Sequence, residues 1–157
     1  RPHTAPLATR PMRIALAASA LAALGLAAAP AVADTPKQGY YIDPASQVYV
    51  IVTKDRTKVK SFQAACMVKG SDGKLVQSSS IYTAKSKRIS IKKGAFSYAG
   101  TVLIPDAYGG SPKRIQAKIT GKFTNGKAKG TYEITTAGYT CEKVSYSGKY
   151  YGVNPQG

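Results

Sequence analysis

Seven residues, Gly121 to Lys127 ("GKFTNGK"), space two glycines and a lysine as a nucleotide-binding P-loop does. In such a loop, backbone N–H groups and the lysine hold phosphates. A following Ser or Thr holds magnesium, and the loop leads from a buried strand into a helix. Here Ala128 stands where the hydroxyl belongs, and apolar and polar residues alternate on both sides. Asn125-Gly126 is instead the dipeptide of a two-residue type I′ hairpin turn. Folding the chain about it sets Thr124 opposite Lys127 and Phe123 opposite Ala128. Gly121 then meets Gly130, Ile119 meets Tyr132 and Ala117 meets Ile134 on one face. On the other face Lys118 meets Glu133, an attractive cross-strand pair. The hairpin reading accounts for more residues, so phosphate chemistry is not expected here.

Other catalytic constellations are poorly supplied. Glycosidic cleavage needs two carboxylates facing across a cleft. Asp55 and Asp72 fall in turn sequences, Asp34 and Asp43 near the start, and Glu133 has Lys118 beside it. Asp106 with Glu142 is the remaining pair, and nothing in the spacing recommends it. The single histidine, His3, precedes the expected mature start, which removes Ser-His-Asp and Cys-His chemistry. Ser71 to Lys74 and Ser90 to Lys93 match Ser-x-x-Lys, but no more often than chance supplies, and neither lies in a helical pattern. The expectation is a protein without catalysis and without a cofactor or metal.

Positive charge is the other chemical signal. Lys85, Lys87, Arg88, Lys92 and Lys93 crowd one stretch, and Lys118, Lys122 and Lys129 project from the outer side of the hairpin. Such a face attracts polyanions: nucleic acid, acidic polysaccharide, or anionic polymers of the cell wall and envelope. The excess of Lys over Arg argues against bidentate phosphate recognition. A merely solvated surface is the competing reading. Among the tyrosines, Tyr49, Tyr98 and Tyr132 are expected to be part-buried. Tyr150 and Tyr151 must point to opposite faces of a strand, so at least one is expected to be exposed, where capping an open barrel end is favoured over stacking on a sugar or base.

The elements that position these residues read as strands. From Gln47 onward the chain alternates with period two, in "VYVIVT", "VKSFQAACMV", "LVQSSSIY", "RISI", "AFSYAGTVLI", "RIQAKITGKF", "KGTYEIT" and "CEKVSYSGKYYG". Turn residues separate them at "SDGK", "KKG", "PDAYGGSP" and "TNGK". The expected fold is all-β, an antiparallel β-sandwich or β-barrel of about eight strands spanning residues 47–152. Residues 34–46 and 153–157 are expected to be flexible.

Ahead of this domain, Met12-Arg13, the apolar run Ile14 to Ala29 and Ala31-Val32-Ala33 make a helical signal peptide, residues 12–33, cleaved after Ala33. The run is too short to span a bilayer, so no membrane segment is expected after cleavage. Residues 1–11 read as an upstream extension or a misassigned start. The expected mature chain keeps twenty basic against seven acidic side chains, a net charge of +13. It also keeps Cys66 and Cys141, which in an exported protein most simply form one disulfide.

Four segments, "AACMVKG", "ISIKKGAFSYAG", "ITGKFTNGKAKGTYEI" and "YTCEKVSYSGKY", together resemble a group of small secreted single-disulfide β proteins of actinobacteria with no assigned function. The resemblance runs across most of Tyr49 to Tyr150 and implies an exported β domain. It carries over no catalytic or binding residues. Two-disulfide actinobacterial β proteins, such as enediyne-carrier apoproteins and a small amylase inhibitor, differ in their cysteine count. The leading expectation is thus a secreted, monomeric module that binds anionic polymers. The alternative is a small secreted hydrolase or enzyme inhibitor with its site in the 105–112 loop.

Overall fold

A computed structural model describes residues 33–105 and 109–154. The elements are β1 (Gly39–Asp43), β2 (Val48–Val52), β3 (Lys58–Gly70), β4 (Leu75–Thr83), β5 (Ile89–Lys92), β6 (Ala95–Ile104), β7 (Lys113–Thr124), β8 (Lys127–Ile134), β9 (Tyr139–Thr140) and β10 (Val144–Gly152). No helix occurs among the described residues. Each long strand pairs antiparallel with its neighbours, in the order β2-β1-β10-β8-β7-β6-β4-β3, and β3 returns to β2. The sheet therefore closes into a ring, and closure pairs most of the strand edges around the wall. One position is shared. β4 covers upper β3, from Gln63 to Lys69, while β5 covers its foot at Lys58 and Val59. Where β4 leaves the ladder, the buried Thr83 hydroxyl accepts the Phe62 N–H at 3.1 Å.

Alternation decides what lies inside. The apolar set Val48, Val50, Phe62, Ala64, Val68, Ile81, Val102, Ile115, Ile119 and Phe123 is buried, and the intervening polar residues face out. An eight-position barrel is just wide enough for side chains to fill. Here aromatic rings do much of the filling. Tyr41 packs on Phe123 at 5.0 Å and on Tyr150 at 5.3 Å, and Phe62 packs on Tyr132 and Tyr146, each at 5.7 Å. Buried phenols need hydrogen-bond partners. Tyr132 donates to Ala65 O, Tyr146 to Thr120 O at 2.8 Å, and Tyr150 to Gln38 O at 2.9 Å. Burial pushes the Tyr146 phenol well above its usual range.

The hairpin at the centre of the wall has the register read from its turn. Thr124 pairs with Lys127, Gly121 with Gly130, Lys118 with Glu133 and Ala117 with Ile134. Asn125 (φ 50°) and Gly126 (φ 69°) both take the left-handed backbone that this turn requires. Inside the barrel, Phe96, Gly121, Gly130 and Tyr146 form one row across β6, β7, β8 and β10. Gly121 leaves the space taken by the Phe96 ring and the Tyr146 hydroxyl, while at Gly130 the β7 backbone lies where a Cβ would stand.

The start of the chain differs from expectation. Residues 34–46, anticipated as a flexible lead-in, contain β1, and Tyr41 within it is only 2% exposed. The Pro and Gly residues flanking "GYYID" mask a short strand whose formation depends on its two partners, β2 and β10. The turn between β1 and β2 is fixed by Asp43, whose carboxylate accepts the Ala45 and Ser46 N–H groups. The ladder thus has ten strands rather than about eight, the additions being β1 and the two-residue β9.

Cys66 on β3 and Cys141, just after β9, stand at disulfide distance, with a Cα–Cα separation of 6.2 Å. A bond across 75 residues removes loop entropy on the order of 4 kcal/mol from the unfolded chain. The expected upstream extension and the expected signal peptide, apart from Ala33, lie outside the described residues, as do residues 106–108 and 155–157.

The glycine row yields a prediction. A Cβ at Gly121 would meet the Phe96 ring and the Tyr146 hydroxyl. Gly121→Ala is expected to lower stability by roughly 1–3 kcal/mol through overpacking, measured as a fall in the denaturant midpoint. An unchanged midpoint contradicts the described interior row.

Candidate functional site

The outer wall from β5 to β10 presents residues in rows set by the ladder register. One row runs Ala95, Lys122, Lys129, Ser147, with Lys92 of β5 paired to Ala95 at its end. The row below it holds Thr124, Lys127 and Lys149. Two like-charged pairs thus face one another directly, Lys122 with Lys129 and Lys127 with Lys149. Neighbouring strands are about 4.8 Å apart, and in water such a repulsion costs about 1 kcal/mol or less per pair. The fold tolerates that cost, and a bridging anion reverses its sign.

Of the residues singled out by sequence, Lys92, Lys122 and Lys129 share this row. Lys93 sits in the adjoining turn with Gly94, both at positive φ. Lys85, Lys87 and Arg88 lie in the exposed β4–β5 connection, where the Lys87 N–H donates to Ala84 O at 2.8 Å. A recess of about 520 Å³ bordered by Arg88, Ser90, Lys92, Ser97 and Tyr98 connects this group to the row. Lys118 stands apart, four residues up β7 and opposite Glu133. Lys127 and Lys149 were not singled out, because the β8–β10 register carries no turn signature that sequence alone could anchor.

Above the lysines runs a row of hydroxyls, Ser97, Thr120, Thr131 and Ser145. Thr120 Oγ1 and Thr131 Oγ1 are 3.0 Å apart. Carboxylates, by contrast, are committed to turns. Asp34 accepts the Asn125 N–H, Asp43 the Ser147 N–H at 2.8 Å, Asp55 the Thr57 N–H at 3.2 Å and Asp72 the Lys74 N–H at 3.0 Å. The aspartates at 34 and 43, expected in a loose start, are therefore structural. Partial desolvation pushes Asp43 up, but hydrogen bonds from the Ser147 N–H, the Ser46 N–H and hydroxyl and the Ala45 N–H together outweigh it and leave the carboxyl below its usual range. Hydrogen bonds from the Thr53 and Thr57 side chains, then the Thr57 N–H, bring Asp55 down to about 2.

A second concavity, of about 1050 Å³, opens at the opposite end of the barrel between the β1–β2 turn, β3 and the segment before β10. Ala65, Met67, Tyr132, Cys141, Glu142 and Val144 are among its lining, with Lys69 at its margin. There β3 has a ladder partner only on its β4 side from Ala64 to Val68. Glu142 is its carboxylate. Asp106, which with Glu142 makes the remaining carboxylate pair that nothing in the spacing recommends, lies outside the described residues, as does part of the 105–112 loop. Among the described residues no three His, Cys, Asp or Glu side chains gather as a metal site.

The tyrosines divide as strand alternation requires. Tyr150 turns inward to Tyr41, and Tyr151 is 55% exposed. Tyr132 is buried and Tyr98 half-buried, whereas Tyr49, expected to be part-buried, faces out at 39% exposure. Comparison with protein-family models, curated proteins and solved structures finds no match.

The turn carboxylates predict an acid dependence. The carboxyls of Asp43 and Asp55 are held below the usual 3.8 in the folded chain, so the contribution of these two is complete above about pH 4 and is lost as pH falls toward about 2. Asp55→Asn is expected to flatten the stability profile over that window, read from denaturant midpoints at successive pH values. An identical slope in the variant contradicts the assigned role of Asp55.

Proposed function

We propose that this chain is an exported, non-catalytic binding module that holds polyanions against the lysine rows of β5, β7, β8 and β10. Export follows from the signal peptide at residues 12–33, cleaved after Ala33, and places the chain with the small secreted actinobacterial proteins it resembles. Cysteines at disulfide distance are compatible with an oxidising location. No described helix is long and apolar enough to cross a membrane. From β5 to β10 the outer wall is lysine- and hydroxyl-rich and the interior apolar, unlike the apolar outer band of a lipid-embedded barrel.

The observation that carries the reading is the register that sets Lys122 against Lys129 and Lys127 against Lys149. Like charges opposed on a sheet weaken pairing, and an anionic polymer laid across the strands turns that cost into binding. Lysine supplies point charges rather than forks, which suits a mobile chain of anions more than one fixed phosphate.

Salt tests this. Log affinity for heparin or duplex DNA is expected to fall linearly and steeply with log salt. Lys122→Ala with Lys129→Ala is expected to reduce the slope on DNA by about two while leaving the thermal midpoint unchanged or raised. A flat dependence in the parent protein removes the reading.

A further inference from the structure

The strands that close the barrel carry a feature the lysine rows do not use. Outward from β1, β2 and β4 stand Tyr40, Ile42, Tyr49, Ile51 and Tyr82. Tyr49 is exposed and the other four are half-buried, and together these aromatic and aliphatic groups beside the lysine rows mark a contact surface. Register makes them continuous with the charge: one ladder row runs Lys127, Lys149, Ile42, Tyr49, Gln63, Tyr82 across six strands. At about 4.8 Å per strand, Tyr49 lies roughly 10 Å from Lys149 and Tyr82 roughly 10 Å beyond. Next to this row Tyr151 is the extra residue of a bulge in the β1–β10 ladder, between the partners of Tyr40 and Tyr41, and it is 55% exposed.

We infer that this row extends the lysine face into a track for an acidic polysaccharide in which charged and neutral sugars alternate. The inference rests on the polyanion reading and specifies its ligand. Tyrosine faces stack on the apolar faces of sugar rings, and ammonium groups at Lys127 and Lys149 take the carboxylates or sulfates. The row Ser97, Thr120, Thr131, Ser145 offers hydroxyls to a polyol. A single-stranded nucleic acid fits less well. Each of its bases brings a phosphate, and its binders interleave cations with stacking rings. Here the residue between Tyr49 and Tyr82 is Gln63, a neutral amide suited to a sugar hydroxyl.

Three probes separate the possibilities: hyaluronan oligosaccharides, whose carboxylates alternate with neutral sugars, inorganic polyphosphate, and oligo-dT. The parent protein is expected to bind hyaluronan and polyphosphate with affinities that fall with salt. Tyr49→Ala is expected to weaken hyaluronan about tenfold, as loss of one stacked ring does, and to leave polyphosphate unchanged. Tyr49→Phe, which keeps the ring, is expected to restore hyaluronan binding. If Tyr49→Ala leaves hyaluronan binding intact, or hyaluronan does not bind while polyphosphate does, the glycan track is overturned and the polyanion reading stands. Oligo-dT binding more tightly than hyaluronan, with sensitivity to Tyr49, assigns the track to nucleic acid instead. Salt-independent or absent binding of all three probes overturns both.

Discussion

Every property of this wall depends on one constraint: the backbone groups at the two ends of the strand series must find each other. A sheet with free edges leaves rows of N–H and C=O groups open to pairing with other chains. Here β1 removes both edges by lying between β2 and β10. Asp43 reinforces the seam, accepting N–H groups from the β1–β2 turn and from Ser147 on β10. Tyr41 anchors the same strand from within, packed between Phe123 and Tyr150. Once the ring is closed, side-chain alternation has only two destinations, a filled interior and a solvated exterior.

Closure also fixes where charge goes. Ladder rows run around the barrel, so residues distant in sequence become neighbours at strand spacing. Lys122 and Lys129 meet through one tight turn, and Lys127 meets Lys149 through the β8–β10 pairing. The same geometry carries the row onward to Ile42 and Tyr49 on the closing strands. Charge and stacking rings are therefore parts of one surface. The carboxylates of Asp34, Asp43, Asp55 and Asp72 serve as acceptors for turn N–H groups.

Legibility in the sequence followed the range of the determining interaction. The hairpin around Asn125-Gly126 was readable to the residue, because its turn type fixes the register and the alternation confirms it. The all-β class and the cysteine pairing were readable for similar reasons, one from period-two patterning and the other from a count of two. The closing strand was not. "GYYID" is short and flanked by Pro and Gly, and only its partners, more than a hundred residues away on β10, give it a reason to be extended. For the same reason Lys149, Tyr40 and Tyr82 escaped notice, and Tyr49 was expected to be part-buried: their significance lies in neighbours that closure supplies. Tyr49 alternates with Val48 and Val50, a pattern that gives its face but not what stands beside it.

Backbone hydrogen exchange within residues 39–43 probes the seam most directly. A strand hydrogen-bonded on both sides exchanges only through opening of the barrel, so protection comparable to that of the hairpin at residues 117–134 is expected. Exchange of residues 39–43 at the rate of an unstructured peptide, with the hairpin still protected, means an open sheet. The lysine and tyrosine rows then no longer share one surface.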